Sequence, residues 1–276
     1  MNSVFESQVL DMSYHWTTIS DIDCATLEKW KQNTRDIGLN VYSTRMPFRM
    51  KLDKMVEVLK EHINMMDIVQ MKIEKLLECM IKPYIFILTD IDGVVLSVHA
   101  KDELADILNR KQNIGVGTSF AMEYAGVNAI STAMERKESV FVLGSEHDLK
   151  MFSEWSCLCS PIRVGKEIIG YLDMSFATNE DAILAGSMFE HLLRGICGNL
   201  EELCPAVRRE QIYNTFDDFK LSPREKEIGY CWLMNHSTLR ISEELGIAEG
   251  TVRNVLKKVY SKTGVNDKGQ FFRRFL

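Results

Sequence analysis

Between Leu52 and Met80 apolar side chains fall at Leu52, Met55, Leu59, Met66, Val69, Ile73, Leu76 and Met80, in steps of three and four interrupted only around His62. That period lays one broad apolar stripe along a helix, and Pro83 stops it, so the pattern predicts a single long helix over residues 52–80. The apolar run 84–88 predicts a buried strand, Asp92-Gly93 a tight turn, and 94–98 its return partner. Helices are predicted over 102–110 and, behind the glycine-marked stretch 113–117, over 120–136; a strand follows over 139–143. Strands over 157–164 and 168–176 meet at Gly165-Lys166. The segment 179–202 carries Ile183, Leu184, Met188, Leu192, Ile196 and Leu200 on one side and predicts a closing helix. Neighbouring strands joined by short turns and flanked by helices make an α+β domain with an antiparallel sheet.

Pro205 and the polar stretch up to residue 220 read as a linker. Beyond it the pattern changes to short helices. Ser222-Pro223 places a capping side chain ahead of a proline at the first helical position. A helix over 238–245, Gly246, and a helix over 249–263 ended by Gly264 form the helix-turn-helix pattern, whose second helix enters the major groove of DNA. On that helix Val252, Leu256 and Val259 face inward, while Arg253, Asn254, Lys257 and Lys258 face outward with the groups needed for base edges and phosphates. The chain divides accordingly into an N-terminal helical extension (1–50), an α+β domain (51–204), a linker (205–220) and an all-α module (221–276).

Charge sharpens this division. The 276 residues carry a net charge of −6, which taken as an average argues against nucleic acid. Residues 221–276 alone hold ten Lys/Arg against six Asp/Glu, +4, so the rest of the chain stands at −10. An acidic body with a basic tail predicts two modules with different partners. The seven cysteines form no regular framework, no apolar run reaches membrane-spanning length and the first residues lack a leader pattern. A cytoplasmic protein with reduced thiols is expected, with no membrane partner, cofactor or metal.

The segments Leu221-Ser-Pro-Arg-Glu-Lys-Glu-Ile, Ile241-Ser-Glu-Glu-Leu-Gly-Ile-Ala-Glu-Gly-Thr-Val-Arg-Asn and Tyr260-Ser-Lys-Thr-Gly-Val resemble the LuxR-type DNA-binding domain over about 55 residues. The resemblance implies four helices, the third reading DNA, with Arg253, Asn254 and Lys257 at groove-facing positions and Thr251, Lys258 and Lys262 at backbone-contacting ones. Val255 stands where that family has His, and Thr263 where it has Leu. Upstream, Gly115-Val-Gly-Thr-Ser-Phe-Ala-Met-Glu-Tyr-Ala-Gly-Val-Asn128, Gly144-Ser-Glu-His147, Trp155-Ser-Cys157 and Ser160-Pro-Ile-Arg resemble the GAF-type sensor domain of acetoin-catabolism-type activators, as does the opening Leu27-Glu-Lys-Trp30 with Gly38-Leu39. Those activators usually continue into an ATPase; this sequence has no G-x-x-x-x-G-K-[ST] loop, so ATP-driven promoter opening is not expected.

The resemblance implies a small-molecule pocket over one face of a six-stranded antiparallel sheet. Phe120, Tyr124 and Trp155 would form its walls, Glu123 or Asn128 its polar anchor, and His147 and Cys157 would lie close by. Such a cage with Glu123 would suit a cationic ligand. The expected protein is a bacterial one-component regulator and not an enzyme. Its partners would be an operator duplex, a small-molecule effector, RNA polymerase, and a second copy of itself joined through the helices over 52–80 and 179–202. Two alternatives compete. Cys157 and Cys159, on one strand face, would make a redox sensor; Asp90-Ile-Asp92-Gly, at the end of an apolar strand, resembles the first motif of a Mg²⁺-dependent phosphohydrolase.

Overall fold

The computed structural model describes residues 16–275 and falls into two compact units, Met1–Leu200 and Glu201–Leu276. The first holds a six-stranded sheet of β1 (Thr17–Thr18), β2 (Tyr84–Thr89), β3 (Val95–His99), β4 (Val140–Val142), β5 (Trp155–Val164) and β6 (Glu167–Ala177). The spatial order is β1-β4-β5-β6-β2-β3. Every pairing is antiparallel except the edge pair β1–β4, which is parallel. The mixed α+β class read from the strand runs is therefore the observed one.

Alternation along the central strands sorts the two faces. On β6, Leu172, Met174 and Phe176 point to one core and Tyr171 to the other; β2 does the same with Phe86 and Leu88 against Ile85 and Ile87. The first face is covered by α2 (Leu52–Glu61), α3 (Ile63–Cys79) and α7 (Ala182–Leu203), through Met55, Ile68, Val69, Ile73, Phe189, Leu192 and Ile196. The second is covered by α1 (Cys24–Asp36), by α4 (Asp102–Asp106) with the π-helical turn Ile107–Lys111 that continues it, by α5 (Met122–Ala125), by α6 (Ala129–Arg136) and by loops.

Three expectations change. The long helix over 52–80 is two helices, broken at His62, whose φ of −102° and ψ of 8° leave the helical region. Most of both apolar stripes, and of that of α7, packs on the domain's own sheet, while Leu52, Ile183 and Leu184 stay exposed. The segment 1–50 is not an extension in its described part: β1 adds the edge strand, and Ile19, Ile22, Trp30 and Met46 are buried in the second core. Residues 16–50 therefore fold with the sheet. The first fifteen positions lie outside the described residues.

The linker over 205–220 is a helix, α8 (Pro205–Asp218), started by proline at its first turn. Ile212 and Phe216 reach into the core of the second unit with Leu221, Leu233, Val259, Val265 and Phe271. The polar surface misled because only two large side chains of this helix are buried. The remaining helices of that unit are α9 (Pro223–Leu233), α10 (Thr238–Leu245), α11 (Glu249–Thr263) and α12 (Lys268–Phe275). Ser222 and Glu225 cap α9 reciprocally, as the Ser-Pro signal predicts.

Candidate ligand cavity and DNA-reading helix

On the second face of the sheet, β2, β5 and β6 supply the floor of a small, tightly lined cavity, and α6 and two loops supply the roof. Its walls are mostly apolar: Ile85, Ile87, Ile114, Phe120, Ile130 and Phe152. The polar groups are few, as small-ligand sites require. Register places them. In β6, Asp173 lies between Cys159 of β5 and Ile87 of β2, and Ser175 lies between Cys157 and Ile85. Ser175 Oγ donates to Asp173 Oδ2 at 2.8 Å and lies 3.2 Å from Cys157 Sγ.

Burial sets the charge state of this floor. It pushes the Asp173 carboxyl from 3.8 up to about 7, only partly offset by the hydrogen bond from Ser175. It also drives the thiols of Cys157 and Cys159 well above their ordinary value, Asp173 adding to the effect. A thiol held protonated is the less reactive form, which disfavours the redox alternative. His147 is buried, and its pKa falls to about 4, desolvation outweighing the backbone hydrogen bonds. Its Nδ1 lies 3.0 Å from the carbonyl of Leu143 and 3.3 Å from that of Gly144. Two carbonyls require Nδ1 to be the donor, which leaves Nε2 as an acceptor.

Of the residues read from sequence, Phe120, Asn128, His147, Trp155 and Cys157 line this cavity together; Glu123 and Tyr124 do not. The expected helix over 120–136 is broken by Gly126, which at φ +63° caps α5 after four residues, and a Cβ there would meet the Asp148 carboxylate at 2.5 Å. The break turns α5 outward: Glu123 is exposed, and the Tyr124 ring stacks on Phe48 with centroids 4.4 Å apart. The cationic-ligand cage therefore does not assemble. Asn128 lines the cavity but has little left to offer. Its Oδ1 accepts from Ser131 N as the cap of α6, and its Nδ2 donates to Phe120 O and Gly126 O at 3.0 and 2.9 Å.

Asp90 and Asp92 make no catalytic pair. Asp90 Oδ1 accepts from the backbone N–H groups of Asp92 and Val94, both at 2.9 Å, so the buried carboxylate builds the β2–β3 hairpin. The downstream pair Asp217–Asp218 ends α8, in the other unit.

In the second unit α11 buries Val252, Leu256, Val259 and Thr263 and exposes Thr251, Arg253, Asn254, Lys257 and Lys258. Arg253 pairs with Glu249 at 2.8 Å one turn earlier, and Glu249 also accepts from Thr238 at 2.5 Å, joining α11 to α10. Lys262 differs from its expected role. Its Nζ is engaged inside the module, 2.6 Å from Glu225 Oε2 and 3.0 Å from Lys220 O, which ties α11 to the start of α9. Burial opposes ionisation of Glu225, but the hydrogen bonds from Lys262 and Ser222 prevail and lower its pKa. Thr263 replaces Leu without an orphaned hydroxyl, because Oγ1 donates to Val259 O at 2.8 Å.

The family description "MimR, N-terminal domain" matches residues 20–188, well over half of the chain. The chain belongs to the MimR N-terminal-domain family. The description "Bacterial regulatory proteins, luxR family" matches residues 220–275, behind the MimR-type domain. The propane 2-monooxygenase operon transcriptional activators MimR of Mycolicibacterium goodii and of Mycolicibacterium smegmatis are each 36% identical over 117 residues, 39% of this chain and 20% of theirs. The similar stretch thus spans a fifth of the relatives' length. The solved structure titled as the E. coli DhaR(N)–DhaL complex shares the fold at a TM-score of 0.59, with 13% identity over 70% of this chain and 65% of that one. The luxR-family description and the MimR relatives are those of transcription regulators, which sets the chain apart from the phosphohydrolases.

In the MimR-type domain, sequence reasoning missed Asp173 and Ser175. The signal was present: a carboxylate and a hydroxyl two positions apart in Gly170-Tyr-Leu-Asp-Met-Ser-Phe share one face of a strand whose neighbours are otherwise apolar. A charge at such a position needs a reason, and the cavity gives one.

Proposed function

We propose that the chain is a ligand-responsive transcription regulator in which the cavity of the MimR-type domain takes a small effector and α11 reads operator DNA. The observation that carries this reading is the exposed face of α11, where Arg253, Asn254 and Lys257 stand together on a helix fixed by a satisfied core. Arg and Asn are the side chains that read guanine and adenine in the major groove. Thr251 and Lys258, flanking them, suit phosphate contacts. Activation follows the naming of the mycobacterial relatives, and an activator on DNA has RNA polymerase as its further partner. One short recognition helix offers few base contacts, so the DNA-bound form is a homodimer on two half-sites.

The effector is small and mostly apolar with one hydrogen-bond donor. Apolar walls favour the first property; Asp173 Oδ and His147 Nε2 are acceptors, which favours the second. Coupling then requires that the effector bind one arrangement of the dimer more tightly than another. The full chain tests both parts. A small aliphatic alcohol that raises the melting temperature of the parent should lose its effect in Asp173→Leu, which removes the acceptor, and should change duplex affinity in the parent. An effector whose thermal shift is the same in a folded Asp173→Leu removes this cavity from the account.

A further inference from the structure

The module holding α11 has a second cluster of chemistry-bearing side chains that DNA reading does not use. Cys231 on α9, His236 in the turn after it and Glu244 on α10 bring a thiol, an imidazole and a carboxylate within 4.8 Å of one another. From the structure we infer that these three side chains bind a divalent transition-metal ion of the zinc class, with a water completing four-coordination.

The backbone prepares the site. Asn235 adopts φ +60° after the last turn of α9, and the N–H of His236 then returns to the carbonyl of Cys231 at 3.1 Å, a six-to-one closure of the helix end. This fold places the imidazole beside the thiol five residues earlier. Ser237 starts α10 immediately by accepting from Arg240 N at 3.1 Å, so Glu244 comes round two turns later facing His236. His236 Nδ1 and Glu244 Oε2 are 3.0 Å apart, close to the ~3.3 Å that two N/O ligands at zinc-bond lengths subtend in a tetrahedron. The other carboxylate oxygen of Glu244 accepts from Arg240 Nε at 2.7 Å, which orients it as outer-shell groups orient metal ligands.

The chemistry of the set is selective. Thiolate, imidazole and carboxylate together suit zinc or cobalt rather than magnesium or calcium, which take oxygen ligands. Without an ion the thiol is held protonated, chiefly by burial and then by the charges of Glu244 and Glu227, with Arg209 opposing. Binding therefore releases one proton from sulfur as the metal–sulfur bond forms. Bound metal would join α9, its following turn and α10, the two helices against which α11 packs its inner face.

The test uses the full chain, purified reduced and free of metal, titrated with Co²⁺. One equivalent should produce a thiolate-to-cobalt charge-transfer band with visible bands of four-coordinate strength, and Zn²⁺ should displace it. Cys231→Ser should abolish the band; Glu244→Gln, at an exposed position that leaves the fold intact, should weaken binding about tenfold or more. Circular dichroism checks that both variants fold. Absence of the band in the parent, its persistence in Cys231→Ser, or unchanged affinity in Glu244→Gln in a folded protein overturns the site.

Discussion

The two units solve opposite problems with polar side chains. In the MimR-type domain the functional groups are buried and few, and their chemistry is set by desolvation: Asp173 titrates near 7 and His147 near 4. In the LuxR-type module the candidate groups are exposed on one helix face, where solvent leaves them free to offer charge and hydrogen bonds. The contrast explains why DNA affinity should respond to salt and single charges, whereas ligand affinity should respond to shape and protonation. Replacements in one unit should therefore leave the other's function standing.

The largest effect should come from breaking the reader. Arg253→Ala with Lys257→Ala removes two groove-facing groups, each worth about 1–3 kcal/mol, so operator affinity measured by anisotropy should fall about a hundredfold or more while effector-induced thermal shifts persist. Comparable in free energy is Phe216→Ala. This ring is fully buried among Phe271, Phe275 and Tyr213, and its loss should destabilise the C-terminal module by about 3–5 kcal/mol in chemical denaturation, with the sheet domain unfolding as before. If residues 205–220 acted only as a tether, Phe216→Ala would change nothing.

A smaller effect sharpens the account of the cavity. Asp173 is raised on folding, so between about pH 4 and 7 the folded state holds the extra proton and stability falls as pH rises. His147 is depressed from 6.5 to about 4, so over most of that window the unfolded state holds the extra proton and stability rises with pH. The two slopes oppose each other in the parent. Asp173→Asn should leave stability climbing from pH 4 to 6.5, and His147→Gln should leave it falling toward pH 7, each read from melting temperature across pH. The smallest effect is Lys258→Ala, which should weaken all duplexes alike and reduce the salt slope by about one.

How much of this was readable beforehand differs between the units for the same physical reason. The exposure of Arg253, Asn254 and Lys257 was legible because a helix face is a local pattern: period, caps and Gly264 all lie within seventeen residues. The cavity is made by register between β2, β5 and β6, so Asp173 meets Cys159 and Ile87 only once strands far apart in sequence pair. Glu123 and Tyr124 failed because a helical period ran through Gly126, where a positive φ ends the helix. His62 broke a stripe whose period continued on both sides, and α8 passed for a linker because Ile212 and Phe216 are its only buried side chains. Lys262 looked free until Glu225, thirty-seven residues away, was found against it.

The central claim is that α11 is a DNA-reading helix carried by a ligand-sensing chain. Selection from a pool of random duplexes with the full chain tests it most directly. The account predicts enrichment of one two-fold-symmetric sequence with half-sites one helical turn apart or a multiple of it, and no enrichment by Arg253→Ala/Lys257→Ala. No enrichment by the parent, or the same sequence recovered by the double variant, would contradict it.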